Sequence, residues 1–259
     1  MTISERILLS ISRAPGDSDY ELQKEAITID CALAILHRVY PNLSALVSGK
    51  RVMDFGCGAG YQCIALVKTY NCSVIGIDTN KKMLKEAVVN AKNHNISSQQ
   101  LSFVESVSPS MFNSFDVVLS HNSFEHFANP EQILSDMSKV VNDSGVILIT
   151  FGPPWFAPYG SHMRFFCKMP WINIIFSEKT VMKVRSYFRD DGAKRYEEVE
   201  AGLNKMTIAR FESIIASSGL MIKYRKYEGI KGMDWLSKFS ILRELFINHA
   251  SVILSKSNK

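Results

Sequence analysis

The sequence predicts an α/β protein with an open, mostly parallel sheet of seven strands and helices on both faces. Three observations lead to this fold class. Short runs rich in β-branched residues alternate with helical stretches between residues 51 and 151. Glycines and acidic residues follow the first two runs, where a parallel sheet presents its ligand-binding edge. The 259 residues are 46% hydrophobic, which is enough for one sizeable core.

The elements are assigned from hydrophobic spacing and from the residues that stop each run. Residues 21–39 have apolar positions at helical spacing and end before Pro41, which predicts a leading helix outside the sheet. Strands are predicted at 51–55, 73–77, 101–104, 115–119, 146–151, 220–227 and 250–254. Helices are predicted at 61–68, 81–93, 131–141 and 206–217, with a smaller helical insertion at 235–246.

The regular alternation stops after Phe151. The following residues, 152–204, are rich in Pro, Trp, Phe and Tyr, and we interpret them as an insertion that caps the active site as a lid. A single domain over 1–259 is simpler than two. We divide it into a helical lead (1–45), a cofactor-binding half (46–151), the insertion (152–204) and a C-terminal helix with the last strands (205–259).

Composition narrows the class of protein. The five cysteines are odd in number and contain no C-x-x-C pair, which argues against a disulfide framework and against a zinc site. No apolar run reaches the roughly 18 residues that span a bilayer. The segment Met1 to Pro15 carries Glu5 and Arg6 where a secretory signal needs apolar residues, so we expect a cytoplasmic protein.

The net charge of +5 is unevenly placed, because residues 205–259 hold 10 basic and 4 acidic side chains. Such a bias suits an anionic partner, but a solvated lysine-rich face is the simpler interpretation. Nothing in the sequence resembles an RNA-binding signature, and no nucleic-acid partner is expected.

The first strand runs into a glycine-rich turn with a specific spacing. Gly56, Gly58 and Gly60 allow a tight turn and a close approach of backbone to ligand, and the helix that follows offers free N–H groups. A dinucleotide fingerprint, G-x-G-x-x-G, would require glycine at position 61, where this chain has tyrosine. Asp54 precedes the first glycine by two positions and therefore sits at the end of the strand.

The segment Val52 to Gly60 resembles the first motif of class I (type 11-like) S-adenosylmethionine-dependent methyltransferases. The resemblance implies a Rossmann-like fold with S-adenosylmethionine as cofactor. It also implies that Asp54 and the glycine turn, with Gly56, Cys57, Gly58 and Gly60, hold the amino-acid part of that cofactor.

The second strand ends on Asp78, 18 residues after Gly60, where a carboxylate accepts hydrogen bonds from ribose hydroxyls. In the segment Thr79 to Met83 the resemblance suggests that Met83 packs on adenine, although a core methionine fits equally well. After the third strand, Glu105 and Ser106 occupy the position where family members place a polar group near adenine; a solvated loop is the alternative.

The segment Phe115 to His126 resembles the fourth strand of the family, including the Glu-His pair that follows it in many small-molecule and glycan methyltransferases. Ser120 and His121 are accordingly expected to border the methyl donor. Asp116 lies at the opposite end of the strand, where satisfying backbone donors is more plausible than chemistry.

Methyl transfer to a hydroxyl needs an aligned acceptor and a base for its proton. Of the six histidines, His126 after the fourth strand and His162 after the fifth lie where they can face the methyl group, although each can equally tie a loop together. No metal is required. Asp190 and Asp191 precede a glycine, and a turn explains them better than a metal site does.

The insertion begins with six aromatic residues within 17 positions, a composition suited to sugar rings or apolar groups. Trp155, Tyr159 and Trp171 are the predicted substrate contacts, and the alternative is that they form the insertion's own core. This region resembles that of bacterial methyltransferases from surface-polysaccharide gene sets. The apolar run 163–176 and its flanking basic residues suggest weak contact, at most, with a membrane surface.

The sequence therefore favours methyl transfer to a hydroxyl of a sugar in a glycan or glycolipid. A quinone-like lipid, an amine or another small metabolite stays open as acceptor, because the first motif does not address it. A nicotinamide-dependent oxidoreductase is disfavoured by the glycine spacing and by the lack of a Tyr-x-x-x-Lys pair after the fourth strand. A non-catalytic cofactor-binding scaffold is the remaining alternative. The oligomeric state is not determined by the sequence.

Overall fold

The computed structural model describes residues 1–13, 29–40 and 42–257. Its helices are α1 (Ile3–Ser10), α2 (Ile29–Val39), α3 (Leu43–Val47), α4 (Tyr61–Tyr70), α5 (Lys81–Asn93), α6 (Pro130–Val140), α7 (Ile172–Ile175), α8 (Glu178–Arg185), α9 (Ile208–Ser217) and α10 (Ser240–Phe246). Its strands are β1 (Arg51–Phe55), β2 (Ser73–Ile77), β3 (Leu101–Val104), β4 (Phe115–His121), β5 (Val141–Phe151), β6 (Met221–Gly229) and β7 (Ile247–Ser255). Part of the predicted leading helix, 21–28, lies outside the described residues.

The seven strands form one sheet in the order β3-β2-β1-β4-β5-β7-β6. Strands β1 to β5 are parallel, whereas β7 pairs antiparallel with both β5 and β6. The predicted fold class is confirmed. Strand order reverses between β1 and β4, and in an open α/β sheet the crevice for a ligand lies at the carboxyl ends of strands at such a point.

Each face of the sheet is covered by a hydrophobic core, as parallel strands require. One core packs α6 and α9 on the sheet through side chains such as Leu134 and Phe211. The other packs α2, α4 and α5 on the opposite face through side chains such as Leu36 and Ile64. Several helices begin at polar caps, and Asn80, for example, accepts hydrogen bonds from the first turn of α5.

The insertion that follows β5 has a small core of its own, which α1 completes through Leu8. Phe166 stacks on Phe188 inside this core, with ring centroids 5.1 Å apart. Much of the run 163–176 is buried there, and its exposed apolar side chains are Ile174 and Ile175. Among the helices that the structure describes, none combines the length and the apolar character needed to cross a bilayer.

Replacing Phe211 by alanine is expected to lower the free energy of unfolding by about 3–5 kcal/mol, because it leaves a cavity in the core. Phe211 is fully buried, and its ring contacts those of Phe124 and Phe151. Urea denaturation checks this, with Phe112→Ala as the matched control, since Phe112 is 43% exposed and should cost less than about 1 kcal/mol. Equal losses in the two variants would contradict the packing described here.

Candidate functional site

The turn after β1 is tied to the end of β2 by backbone hydrogen bonds. The N–H groups of Gly56 and Cys57 both donate to the carbonyl of Ile77, at 2.8 and 3.1 Å. Gly56 has a φ of +78°, and a Cβ there would lie 2.5 Å from the Cβ of Ser123. Only glycine therefore permits the loop after β4 to close on this turn.

The Asp78 carboxylate joins two loops at the carboxyl edge of the sheet. Its Oδ2 accepts a hydrogen bond from the Gly58 N–H at 2.9 Å, and its Oδ1 accepts one from the Asn80 N–H at 2.8 Å. Each carboxylate oxygen can accept more than one hydrogen bond, so Asp78 retains capacity for ligand hydroxyls. Asp78 thereby holds the glycine turn and the start of α5 in place.

A cavity of about 520 Å³, which we call the main cavity, opens between these loops. Its size is typical of small-molecule sites. Of the predicted cofactor residues, six line it: Gly56, Asp78, Thr79, Met83, Glu105 and Ser106. Glu105 is more than half exposed and forms an ion pair with Lys81 at 3.2 Å. The lining that sequence reasoning missed is Phe55, Ile77, Asn80, Val107, Ser123, Phe127, Ile133, Asp136, Glu200 and Ala201.

Other predicted cofactor residues lie at the same edge of the sheet but behind this lining. Asp54, Ser120 and His121 are buried at the ends of β1 and β4. Cys57 is buried within the glycine turn, and Gly60, also in the left-handed region, starts α4. The Sγ of Cys63 donates to Asp54 Oδ2 at 3.3 Å, whereas Asp54 Oδ1 has no hydrogen-bond partner among the described residues. Burial raises the pKa of Asp54 to about 7.

The structure brings the two candidate bases together. The rings of His126 and His162 meet edge to face, with centroids 5.3 Å apart. His126 Nδ1 lies 2.6 Å from the carbonyl oxygen of Gly202, so this nitrogen carries the proton and Nε2 is left as an acceptor. Burial lowers the pKa of His162 to about 4, and its buried Nε2 has no partner among the described residues.

A second cavity, of about 360 Å³, adjoins the first at His126, which lines both. We call it the histidine cavity. Its lining is His126, His162, Met163, Phe165, Arg185, Arg189, Asp190, Asp191, Val199, Glu200, Ala201 and Leu203. His126 is thus placed between a cavity walled by the predicted cofactor loops and one walled by the insertion.

The loop that carries His126 is held from three sides. The Ser123 hydroxyl lies 3.1 Å from the carbonyl oxygen of Gly56. The buried Glu125 carboxylate accepts the Gly152 N–H at 3.1 Å, and burial raises its pKa. The Asn204 amide donates to the carbonyls at both ends of the segment 124–127, at 2.9 Å. Sequence analysis noted the Glu-His pair but had no signal for Asn204.

The aromatic residues predicted to contact substrate make their contacts inside the insertion and with neighbouring elements. Trp155 packs on Tyr196, with centroids 4.8 Å apart, and the Tyr159 hydroxyl donates to a backbone carbonyl. The Trp171 indole N–H donates to a backbone carbonyl, and its ring meets Phe246 of α10. None of the three predicted residues lines either cavity described above. These contacts favour the alternative stated for them, packing within the insertion, and their role as substrate contacts stays a prediction.

Asp191 forms a bidentate pair with Arg185, with both N···O distances at 2.6 Å. Arg185 is buried, and its guanidinium lowers the pKa of Asp191 to about 2. The Ala193 N–H also donates to this carboxylate, as in the predicted turn. Within the described residues, no three His, Cys, Asp or Glu side chains gather as a metal site. Asp116 accepts the backbone N–H of Arg51, which is the structural role expected of it.

Residues 46–153 match the family model of a methyltransferase domain. The chain is 32% identical over 114 residues to the mitochondrial ubiquinone biosynthesis O-methyltransferase of Dictyostelium discoideum, a match covering 40% of this chain and 36% of that protein. It is 30% identical over 104 residues to the ubiquinone biosynthesis O-methyltransferase of Neisseria meningitidis, covering 39% and 44%. The chain spans less than half the length of these two relatives.

Solved structures show a similar fold over most of the chain. Magnesium protoporphyrin IX methyltransferase from Synechocystis, with bound S-adenosylmethionine, is 12% identical with a TM-score of 0.53 and is covered over 99% of both chains. The [4+2]-cyclase SpnF is 13% identical with a TM-score of 0.58, covering 89% of this chain and 81% of that one. At these identities the likeness establishes the fold alone.

Replacing Asp54 by asparagine is expected to flatten the pH dependence of stability. The folded-state pKa of Asp54 lies above its ordinary 3.8, so its contribution is complete below that value and is lost as pH rises through about 7. Between about pH 5 and pH 8 the unfolding free energy of wild type should fall by about 2–3 kcal/mol relative to the variant. Urea titrations of both proteins measure this, with Asp143→Asn as an exposed control. A constant difference between wild type and Asp54→Asn would overturn the assignment.

Proposed function

We propose that this protein, which carries a class I methyltransferase domain at residues 46–153 with S-adenosylmethionine as its cofactor, methylates a hydroxyl of a small polar acceptor. The observation that carries the proposal is the position of His126. This side chain lies at the junction of the main cavity and the histidine cavity. An acceptor in the second cavity and a methyl donor in the first would meet at this histidine.

The residues of the main cavity fit the cofactor. The turn at Gly56 closes so tightly that a side chain would collide with Ser123, which leaves backbone facing the cavity. Asp78 offers a carboxylate for the two ribose hydroxyls, and Met83, Val107 and Ile133 offer apolar contacts for a planar base. When bound, the cofactor supplies a methyl group activated by the adjacent sulfonium.

The chain's own contribution is alignment and proton removal. The Gly202 carbonyl fixes the His126 proton on Nδ1, and Nε2 can then take the proton of an acceptor hydroxyl. As that proton leaves, the hydroxyl oxygen forms a bond to the methyl carbon, and the electron pair of the breaking carbon–sulfur bond stays on sulfur. His162 is neutral because burial lowers its pKa to about 4. A lowered pKa makes His162 a weak base, and we assign it to positioning.

We further propose a sugar hydroxyl as the acceptor. The histidine cavity is walled by three carboxylates and two guanidinium groups beside the ring of Phe165. Such walls can hydrogen-bond many hydroxyls, whereas an apolar quinone-like molecule would bury polar groups without forming hydrogen bonds to them. The names of the relatives favour a quinone-like ring instead, although their matches cover less than half of this chain. The activity assay therefore compares sugars with aromatic hydroxyl compounds as acceptors.

Replacing Asp78 by alanine is expected to weaken S-adenosylmethionine binding at least about 100-fold, since two hydrogen bonds to a charged group contribute about 1.5–3 kcal/mol each. Titration calorimetry measures the affinity, and circular dichroism verifies the fold. Asp143→Ala, whose carboxylate is 84% exposed, is the control and should bind as wild type does. Unchanged affinity in Asp78→Ala would show that the ribose assignment is wrong.

Replacing His126 by asparagine is expected to lower kcat about 10²–10⁴-fold, the usual contribution of a general base. Asparagine can still donate to the Gly202 carbonyl but cannot take a proton. Release of S-adenosylhomocysteine is measured with polyhydroxylated sugars and with dihydroxybenzenes as acceptors. His94→Asn, at the end of α5, is the control and should retain activity.

The outcomes of this assay separate the alternatives. Full activity in His126→Asn with loss in His162→Asn would transfer the role of base to His162. Turnover of aromatic hydroxyls alone would replace the sugar by a quinone-like acceptor. No turnover with any acceptor, despite tight binding of S-adenosylmethionine, would favour a non-catalytic scaffold.

A further inference from the structure

A third cavity, of about 380 Å³, lies at the carboxyl edge of the sheet beyond the loop that follows β4. We call it the edge cavity. Its lining is Arg38, Asn122, Gly152, Glu228, Gly229, Asn248 and His249, contributed by α2, β6 and β7 and by the ends of β4 and β5. Asn122 lines the edge cavity, whereas the next residue, Ser123, lines the main cavity. One loop therefore forms a wall of both cavities.

The floor of the edge cavity is a chain of hydrogen bonds. The buried Thr150 hydroxyl lies 2.8 Å from His121 Nδ1 and 3.3 Å from Asn122 Oδ1. His249 Nε2 lies 3.0 Å from the same Asn122 oxygen and therefore donates to it. Because Asn122 accepts through its oxygen, its amide N–H groups are left to donate to a ligand.

His249 is incompletely satisfied in its neutral form. With its proton on Nε2, its Nδ1 faces Glu228 Oε2 at 3.3 Å, which places two acceptors side by side. A second proton on the ring would turn this contact into an ion pair. Burial opposes that proton and lowers the pKa of His249, and the charges of Arg38 and Lys226 act in the same direction. An anion in the cavity would stabilise the protonated ring and so raise the pKa of His249.

The edge cavity contains a guanidinium whose N–H groups form no hydrogen bond with the described residues. Lys226 Nζ binds Glu228 Oε1 at 2.9 Å, so this carboxylate is already paired. Arg38, in the last turn of α2, is exposed at the cavity and has no hydrogen bond or ion pair within residues 1–13, 29–40 and 42–257, although its charge helps to lower the pKa of Glu228. A second carboxylate, that of Asp234, accepts the N–H of Gly229 at 2.7 Å and lies near Lys226. The Arg38 guanidinium therefore keeps its donors available at the cavity.

We propose that the edge cavity binds an anionic group, phosphate or carboxylate, through the Arg38 guanidinium, with the Asn122 amide as a further donor. A guanidinium matches the geometry of both anions and can donate two hydrogen bonds at once. Binding favours a proton on His249, because the negative charge of the ligand stabilises the imidazolium, whose Nδ1–H then pairs with Glu228. The site does not depend on the methyl-transfer proposal, since it can be measured without cofactor or acceptor.

The probe is inorganic phosphate, titrated into the full-length protein by calorimetry. Wild type is expected to bind it saturably, and Arg38→Gln is expected to bind it at least about tenfold more weakly, because it removes the bidentate cation. Arg51→Gln is the matched control, since Arg51 begins β1 at the opposite edge of the sheet. Nuclear magnetic resonance of the imidazole C–H groups should show the His249 pKa rising with phosphate in wild type and in Arg51→Gln only.

Absence of saturable binding to wild type, or equal affinity in Arg38→Gln and Arg51→Gln, overturns the proposal. The source of the anion is distinguished by a second arm that compares inorganic phosphate, acetate and a sugar phosphate. Tighter, Arg38-dependent binding of the sugar phosphate identifies the group as part of an acceptor. Equal binding of sugar phosphate and inorganic phosphate identifies a free anion.

Discussion

The loop between β4 and α6, residues 122–127, is the constraint on which the three cavities depend. Ser123 reaches the carbonyl of Gly56, Glu125 accepts the N–H of Gly152, and Asn204 closes the loop from the insertion. One segment is thereby fixed to the turn after β1, to the end of β5 and to the last part of the insertion. Its side chains then face different spaces, so a displacement of this loop would move a wall of every cavity at once.

Burial around this loop favours uncharged forms of ionisable groups. Asp54 and Glu125 have raised pKa values and His162 has a lowered one, and in each case burial is the largest cause. Charged groups lie farther from this loop. An example is the ion pair of Arg185 with Asp191, which the insertion contributes to the wall of the histidine cavity. Because the dielectric constant of such a buried region is low, the electrostatic interactions of any charge that a ligand introduces are stronger there than in water.

The sheet was predictable from sequence because its strands and caps follow simple periodic rules. β1, β2, β3 and α5 begin and end where predicted, whereas β5 starts five residues earlier, because the turn-like segment 142–145 continues the strand beside an irregularity in β4. Asp78 was predicted to lie at the site because strand ends locate ligand contacts, and it lines the main cavity. Glu200 and Ala201 lie in an insertion without periodicity, and nothing local marks them as lining. Trp155, predicted as a substrate contact, packs on Tyr196 and lines neither cavity, because aromatic rings satisfy packing as readily as they bind ligands.

Fold and reaction are separate properties here. A methyltransferase and a [4+2]-cyclase both share this fold, so the fold by itself does not determine which reaction takes place. The chemistry of an acceptor has to be selected by surfaces outside that common core. In this chain those surfaces are the insertion and the elements around the edge cavity. The edge cavity adjoins the main cavity through the loop at 122–127, whereas the insertion also supplies Glu200 and Ala201 to the main cavity directly. On the proposed assignment, Asp78 and Met83 serve the cofactor alone and can change without altering acceptor choice, whereas His126, Glu200 and Ala201 line both the main cavity and the histidine cavity, so that a change there affects cofactor and acceptor together.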